Sequence, residues 1–251
     1  MPAALAERAG EYTLHITAEP ACSSLYRPDL RLVARYPELG VMRPVAEQRV
    51  SATTLDDWSR ADGAGRVDFI KLDTQGSELD ILRGAERVLD SVWGLEIEVE
   101  FSPLYQGQPL FTDVDTFLRA RGFVLWRLTN LAHYSPGRND NFTRWDVQHF
   151  DSRPVGFPAE GGQLYWGHAH YVRAGAPLGE YPSEQDALRA WCVWTITGWR
   201  DLADQAARFQ PAGSGKTGSG SPSPTRTAPR HRTPRHTAAR RTPPPRLDGP
   251  P

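Results

Sequence analysis

The sequence predicts an α/β fold built on a mainly parallel sheet with an antiparallel pair at one edge. Three observations predict it. Between residues 67 and 128 strand-like and helix-like segments alternate, which requires right-handed crossovers and parallel strands with helices on the sheet faces. Residues 67–73, VDFIKLD, are nearly continuous in apolar content, as in a strand covered on both faces. The segments 123–128 and 163–173 both read as strands but have no obvious helix between them, so they form the antiparallel edge pair.

Each element has its own signal. Residues 11–17, EYTLHIT, alternate apolar and polar, the mark of a strand with one wet face. Four prolines make 20–44 loop-like, with a short helix near 29–36, and 45–52 form another strand. Thr54 caps a short helix, LDDWSRA, which Gly63 and Gly65 end. A helix from Ser77 to Leu89 sets Leu79, Leu82, Val88 and Leu89 near one face and tolerates Gly84. In 92–101, VWGLEIEVEF, Leu95, Ile97, Val99 and Phe101 point one way and Glu96, Glu98 and Glu100 the other. Thr112 or Asp113 caps the next helix, stopped at Gly122. After the strand 123–128 comes a long polar connection, 129–160, and then the strand QLYWGHAHYVR, 163–173. Ser183 caps a final helix, 183–209, with Leu188, Trp191, Thr195, Trp199, Leu202 and Phe209 along its inner side.

The 251 residues carry a net charge of −1, an average over two unlike parts. Residues 211–251 hold eight basic residues and one acid, which leaves 21 basic against 29 acidic residues in 1–210. That last segment also holds 10 of the 22 prolines, and its only apolar residues are four alanines and Leu247. It cannot bury enough surface to offset its ordering entropy and is expected to be a disordered basic tail. The domain is therefore 1–210. Contact of the tail with nucleic acid is one reading, but no aromatic residue offers a base-stacking platform; a proline-rich spacer or an unselected low-complexity stretch are the others. No apolar run approaches the ~20 residues of a membrane span. The first residues lack a secretory pattern, and Cys22 and Cys192 make neither a disulfide framework nor a zinc cluster, so a cytoplasmic location is expected.

In an open α/β sheet, ligands bind beyond the carboxyl ends of the strands. Two adjacent strand ends here are acidic: KLDTQGSE, 71–78, and EIEVEFSP, 96–103. Asp73, Glu78, Glu98 and Glu100 would surround one crevice, where like charges raise one another's pKa as in general bases. The alternative is that Glu78 complements a helix dipole while the strand glutamates face water. His168 and His170 share one side of a strand, but no third metal ligand is evident beside them, and no metal is assigned. A cation held by Asp73, Glu78 and Glu98 is compatible with hard-oxygen chemistry, though the spacing does not require it. The tryptophans 191, 194 and 199 read as helix packing.

VDFIKLDTQGSELDILRGAERVL, EVEFSPLYQGQPLFTDVDTFLRARGFVLWRL and GQLYWGHAHYVR together resemble the C-terminal half of FkbM-type methyltransferases. Lys71, Asp73, Gly76 and Glu78 match that family's signature, and PACSSLY and TTLDDW look familial as well. The resemblance spans 11–173. It implies a class I, Rossmann-like fold, S-adenosylmethionine as cofactor, and methylation of a hydroxyl oxygen on a small-molecule, glycan or natural-product acceptor. It implies Asp73 or Glu98 as the base, with Lys71, Gln75, Glu78 and Glu100 binding or orienting the acceptor or a loop; for Lys71, pairing with a carboxylate or bonding to a strand neighbour are the other readings. Class I enzymes hold the cofactor on a glycine-rich turn after their first strand and on an acid ending the second. Both would precede Val67, and only 66 residues do so here. The expectation is a domain without its cofactor-binding strands, inactive alone. The rival is a non-catalytic remnant or interaction module with a basic tail.

Overall fold

A computed structural model describes residues 4–61, 63, 65–134 and 163–209. The expected tail, 211–251, lies outside them, as does most of the connection 129–160. Among the described residues there are two sheets. The smaller joins β1 (Ala4–Leu5), β2 (Gly10–Thr17) and β3 (Pro44–Thr53) in the order β1-β3-β2. β1 runs parallel to β3, and β2 antiparallel to it from Gly10↔Ala52 to Thr17↔Pro44. Between β2 and β3 lies α1 (Leu30–Arg35), begun by the Asp29 carboxylate, which accepts from Arg31 N at 2.9 Å. α2 (Leu55–Ala61) follows β3, and Thr54 caps it by accepting from Asp57 N at 3.0 Å.

The second sheet contains β4 (Phe69–Leu72), β5 (Gly94–Glu100), β6 (Phe123–Tyr134) and β7 (Gln163–Arg173), in the order β4-β5-β7-β6. Only β4 and β5 are parallel neighbours; β7 is antiparallel to both β5 and β6. The sheet is therefore mixed, and the expectation of a mainly parallel one is corrected. β4, β5 and β6 do point the same way, as helix-linked strands should. However, the chain returns after β6 and inserts β7 between β5 and β6, against both. β6 and β7 are the expected antiparallel pair at one edge, with β6 outermost. At the other edge no strand among the described residues pairs with the free side of β4.

The helices correct two further expectations. The segment 77–89 is divided into α3 (Glu78–Arg83) and α4 (Glu86–Leu89). The break falls at Gly84, where a Cβ would stand 2.5 Å from the Ala6 carbonyl oxygen; glycine lets β1 approach. α5 (Phe111–Ala120) starts before Thr112, and Asp113 acts from its first turn, accepting from Leu110 N at 2.9 Å. The final helical region is α6 (Glu184–Thr197) and α7 (Arg200–Ala207), separated by Gly198 at φ 76°. α6 buries Ala187, Ala190, Val193 and Trp194, whereas Leu188 and Trp191 are 58% and 38% exposed. The buried stripe is thus rotated from the side that the large residues suggest.

Period-two alternation divides the core. Ile70, Leu72, Leu95, Ile97, Val99 and Tyr171 pack with α3, α4 and α5 on one face of the sheet. Phe69, Val124, Trp126 and Val172 pack on the other with α6 and α7, around Trp194 and Trp199, whose rings stack at 5.2 Å. A third cluster joins Tyr36, Leu39 and Met42 to Leu104, Tyr105 and Tyr165, and docks the 20–44 segment beside the carboxyl end of β5. Among the described residues no helix is long and apolar enough to cross a membrane.

Candidate functional site

The carboxyl ends of β4 and β5 are neighbours because the two strands pair in parallel, Lys71↔Glu96 and Leu72↔Ile97. β7 brings His168 opposite Glu98 and His170 opposite Glu96. Lys71, Asp73, Glu96, Glu98 and both histidines accordingly fall on the sheet face that carries α6 and α7 further down. Of the alternating glutamates, Glu96 is partly exposed but the other two do not face water. Glu98 and Glu100 are 8% and 3% exposed. Their cover includes Tyr105 and the 20–44 segment, tied down by Tyr105 Oη donating to the Cys22 carbonyl at 2.8 Å and Asp29 N donating to the Leu104 carbonyl at 2.9 Å.

All four carboxylates expected at the crevice are in this region, in different states. Asp73 is exposed at its mouth. Glu98 is buried behind it, and burial followed by the Asp73 charge pushes its pKa up to about 10. Glu78 turns inward and accepts from Thr74 N at 2.6 Å and Thr74 Oγ1 at 3.0 Å, closing the turn between β4 and α3. Burial raises its pKa against those hydrogen bonds. Glu100 lies well above the ordinary carboxylate range, first through burial and then through the charge of Glu78.

Gln75 bridges the two outer acids. Its Nε2 stands 2.6 Å from Glu98 Oε2 and 3.2 Å from Asp73 Oδ1, and its Oε1 accepts from Tyr105 Oη at 2.9 Å. Its backbone has φ 60°, uncommon outside glycine, and Ser24 Oγ holds it by donating to the Gln75 carbonyl at 2.7 Å. Lys71 does not enter this group. Its ammonium pairs with Glu96 at 3.0 Å on the half-exposed part of the sheet, and that hydrogen bond is the first cause of its raised pKa. Glu96 also lies 3.4 Å from His168 Nδ1. His170 sits deeper, edge-on to Trp199 at 5.5 Å, and burial lowers its pKa to about 4.

The structure therefore brings Asp73, Gln75 and Glu98 together, sets Glu78 and Glu100 behind them and turns Lys71 aside. It adds residues that the sequence reading left out. Tyr105 and Ser24 reach Gln75 from distant segments; their only sequence signal is a place just beyond the β5 end and in the familial PACSSLY stretch. His168 joins Asp73 and Glu98, each with one potential ligand atom within 4.8 Å of the others. Arranged in this way, the mouth can hold a cation or accept a proton from a bound hydroxyl.

Whether these residues also fit an S-adenosyl donor is decided by the turns. A donor cradle needs a glycine turn after a strand that lets a ligand reach the backbone. Gly76, at φ 97° after β4, is the candidate, but a Cβ there would meet Gln108 Nε2 at 3.1 Å: the space is filled by a side chain. Gly63 and Gly65 come before β4, not after it. Neither turn beside β4 forms such a cradle. Neither a curated protein nor a solved structure matches the chain. A family model described as the methyltransferase FkbM domain matches residues 1–125, which include β4, β5 and every residue of the acidic strand ends. Residues 1–125 thus match the FkbM methyltransferase domain, the family that the acidic strand ends resemble.

Proposed function

We propose that the described residues form the acceptor side of an S-adenosylmethionine-dependent methyltransferase that acts on a hydroxyl oxygen of a small molecule or glycan. The observation that carries this reading is the meeting of Asp73 and Glu98 beyond the carboxyl ends of two parallel strands, in a chain whose residues 1–125 match a methyltransferase family. β4, α3, α4 and β5 form a β-α-β unit, which supports a Rossmann-like sheet continuing past the free side of β4. A sulfonium donor is already activated. What remains is to align the acceptor oxygen and remove its proton. Asp73, exposed at the mouth, is placed to accept that proton, with Glu98 behind it and Gln75 orienting both. Glu78 and Glu100 shape the turn and the floor. Methyl donation itself is assigned to none of these residues.

Calorimetric titration of S-adenosylmethionine tests this division. No binding is expected for the chain 1–251, and binding is expected for a chain extended upstream in its reading frame. In the extended chain, Asp73→Asn is expected to lower methyl transfer by about 10²–10⁴-fold with donor affinity unchanged, the usual range for a positioned acid or base. Donor binding by 1–251 would overturn the acceptor-side reading. Failure of both chains to bind would put the non-catalytic reading first.

A further inference from the structure

Tyr105 exposes a conflict in the crevice. Its hydroxyl has one proton but stands within hydrogen-bonding distance of two acceptors, the Cys22 carbonyl oxygen at 2.8 Å and Gln75 Oε1 at 2.9 Å. Amide oxygen and nitrogen are told apart by their partners. Turning the Gln75 amide over resolves the conflict, because Nε2 then donates to Tyr105 Oη while that hydroxyl donates to Cys22. The same turn puts an amide oxygen where Nε2 now stands, 2.6 Å from Glu98 Oε2 and 3.2 Å from Asp73 Oδ1. Three oxygens then converge, an arrangement satisfied by a proton on the buried Glu98 or by a positive ion that displaces it. Among the described residues no lysine or arginine supplies the positive charge: Lys71 is engaged with Glu96.

From this we infer that the crevice is a divalent-cation site, with Asp73, Glu98 and His168 as protein ligands and the turned Gln75 carbonyl as a fourth. The three ligand atoms already lie within 4.8 Å of one another. Two ligands on one ion at bonds of ~2.1 Å are at most about 4.2 Å apart, close to the 4.8 Å bound here, so loading requires little movement. The ligands come from the end of β4, from β5 and from β7, elements locked by the Glu98↔His168 register. Glu96 and the Asn130 side-chain amide each lie 3.4 Å from His168 Nδ1; they engage that nitrogen and leave the other for a metal. Asp73, exposed at the mouth, provides the way in. Two carboxylates, an amide oxygen and one imidazole suit manganese(II), iron(II), cobalt(II) or zinc(II) better than calcium(II). An ion there would act as a Lewis acid toward an oxygen of whatever occupies the crevice. The site stands independently of the methyl-transfer reading.

The test is titration of manganese(II) and cobalt(II) into the full chain, read by calorimetry and by the cobalt visible spectrum. One ion per chain is expected. Asp73→Asn, an exposed substitution that leaves the fold intact, and His168→Ala should each weaken it at least ten-fold. Gln75→Ala should weaken it less, and Glu96→Gln by about ten-fold through the imidazole. His168→Ala should also change the cobalt spectrum, a readout that mere loosening of the fold would not shift in the same way, and circular dichroism verifies folding of each variant. Binding weaker than about 1 mM, or binding unchanged by Asp73→Asn with the ion held by other histidines, would overturn the proposal.

Discussion

At the last residue of β7, Arg173 joins the ends of several elements. Its Nε donates to the Val92 carbonyl at 2.9 Å, one terminal nitrogen to the Arg121 carbonyl at 3.0 Å and the other to the Leu89 carbonyl. The guanidinium also lies over the Phe123 ring, 4.3 Å from its centroid. Those carbonyls end α4, α5 and the turn into β5, where helix ends leave acceptors without partners. A planar fork with several donors serves them at once, which an ammonium cannot do. Arg173→Ala is expected to cost about 2–4 kcal/mol in urea unfolding, because it leaves buried acceptors unpaired, and Arg173→Lys to recover only part of that. Gln75 is the opposite kind of residue. It holds a left-handed backbone conformation and serves the crevice, so its strain is offset by Ser24 and Tyr105 rather than avoided.

Among the elements, α6 has the clearest start. Ser183 Oγ accepts from Asp186 N at 3.1 Å, and it donates to the Asp186 carboxylate at 2.7 Å. Arg66, from the approach to β4, pairs with the same carboxylate at 2.6 Å. The Ser183 hydrogen bond first and Arg66 after it hold the Asp186 pKa below its ordinary 3.8. Ser183→Ala is expected to cost about 1 kcal/mol at neutral pH. The sign of the pH dependence follows from the depressed pKa. The contribution of Asp186 is fully present above the unfolded value and disappears as pH falls through the lower, folded one. The stability gap between wild type and Ser183→Ala, followed by denaturant unfolding, should therefore narrow below pH ~3.8. Growth of the gap in acid would refute this account of the cap.

Taken as one molecule, the second sheet is covered on both faces, and the tryptophans mark the α6–α7 side. Trp194 is fully buried and Trp199 nearly so. Gly94 admits them: a Cβ there would lie 2.8 Å from the Trp194 ring. Trp194→Ala is expected to cost about 3–5 kcal/mol, through lost transfer energy and the cavity left behind. Trp191→Ala, on the open side of the same helix, should stay within about 0.5 kcal/mol. Thermal or urea unfolding of the two variants compares them directly. Equal losses would mean that α6 packs through the side the large residues suggest. The same cover explains the buried acids. With the 20–44 segment docked over it, the β5 face that bears Glu98 and Glu100 is closed to water, and carboxylates there hold protons or cations rather than solvent.

Local pattern by itself determined much of this. The strand 163–173, the caps Thr54 and Ser183, the direction shared by β4, β5 and β6, and the meeting of acids at two strand ends all follow from period, turn residues and crossover chemistry, which act over a few residues. Tertiary structure alone decided the rest. The adjacency of β7 to β5 is a pairing across more than sixty positions, and no local signal says which strand of the edge pair lies inside. That insertion carries His168 to Asp73 and Glu98, so the third ligand was invisible in the spacing of the histidines. The break at Gly84 depends on β1, distant in the chain, needing the space of a missing Cβ. Whether the strand glutamates were wet or buried depended on which segment covered them. Period two sets the face on which a side chain lies, but the rest of the molecule sets what that face meets.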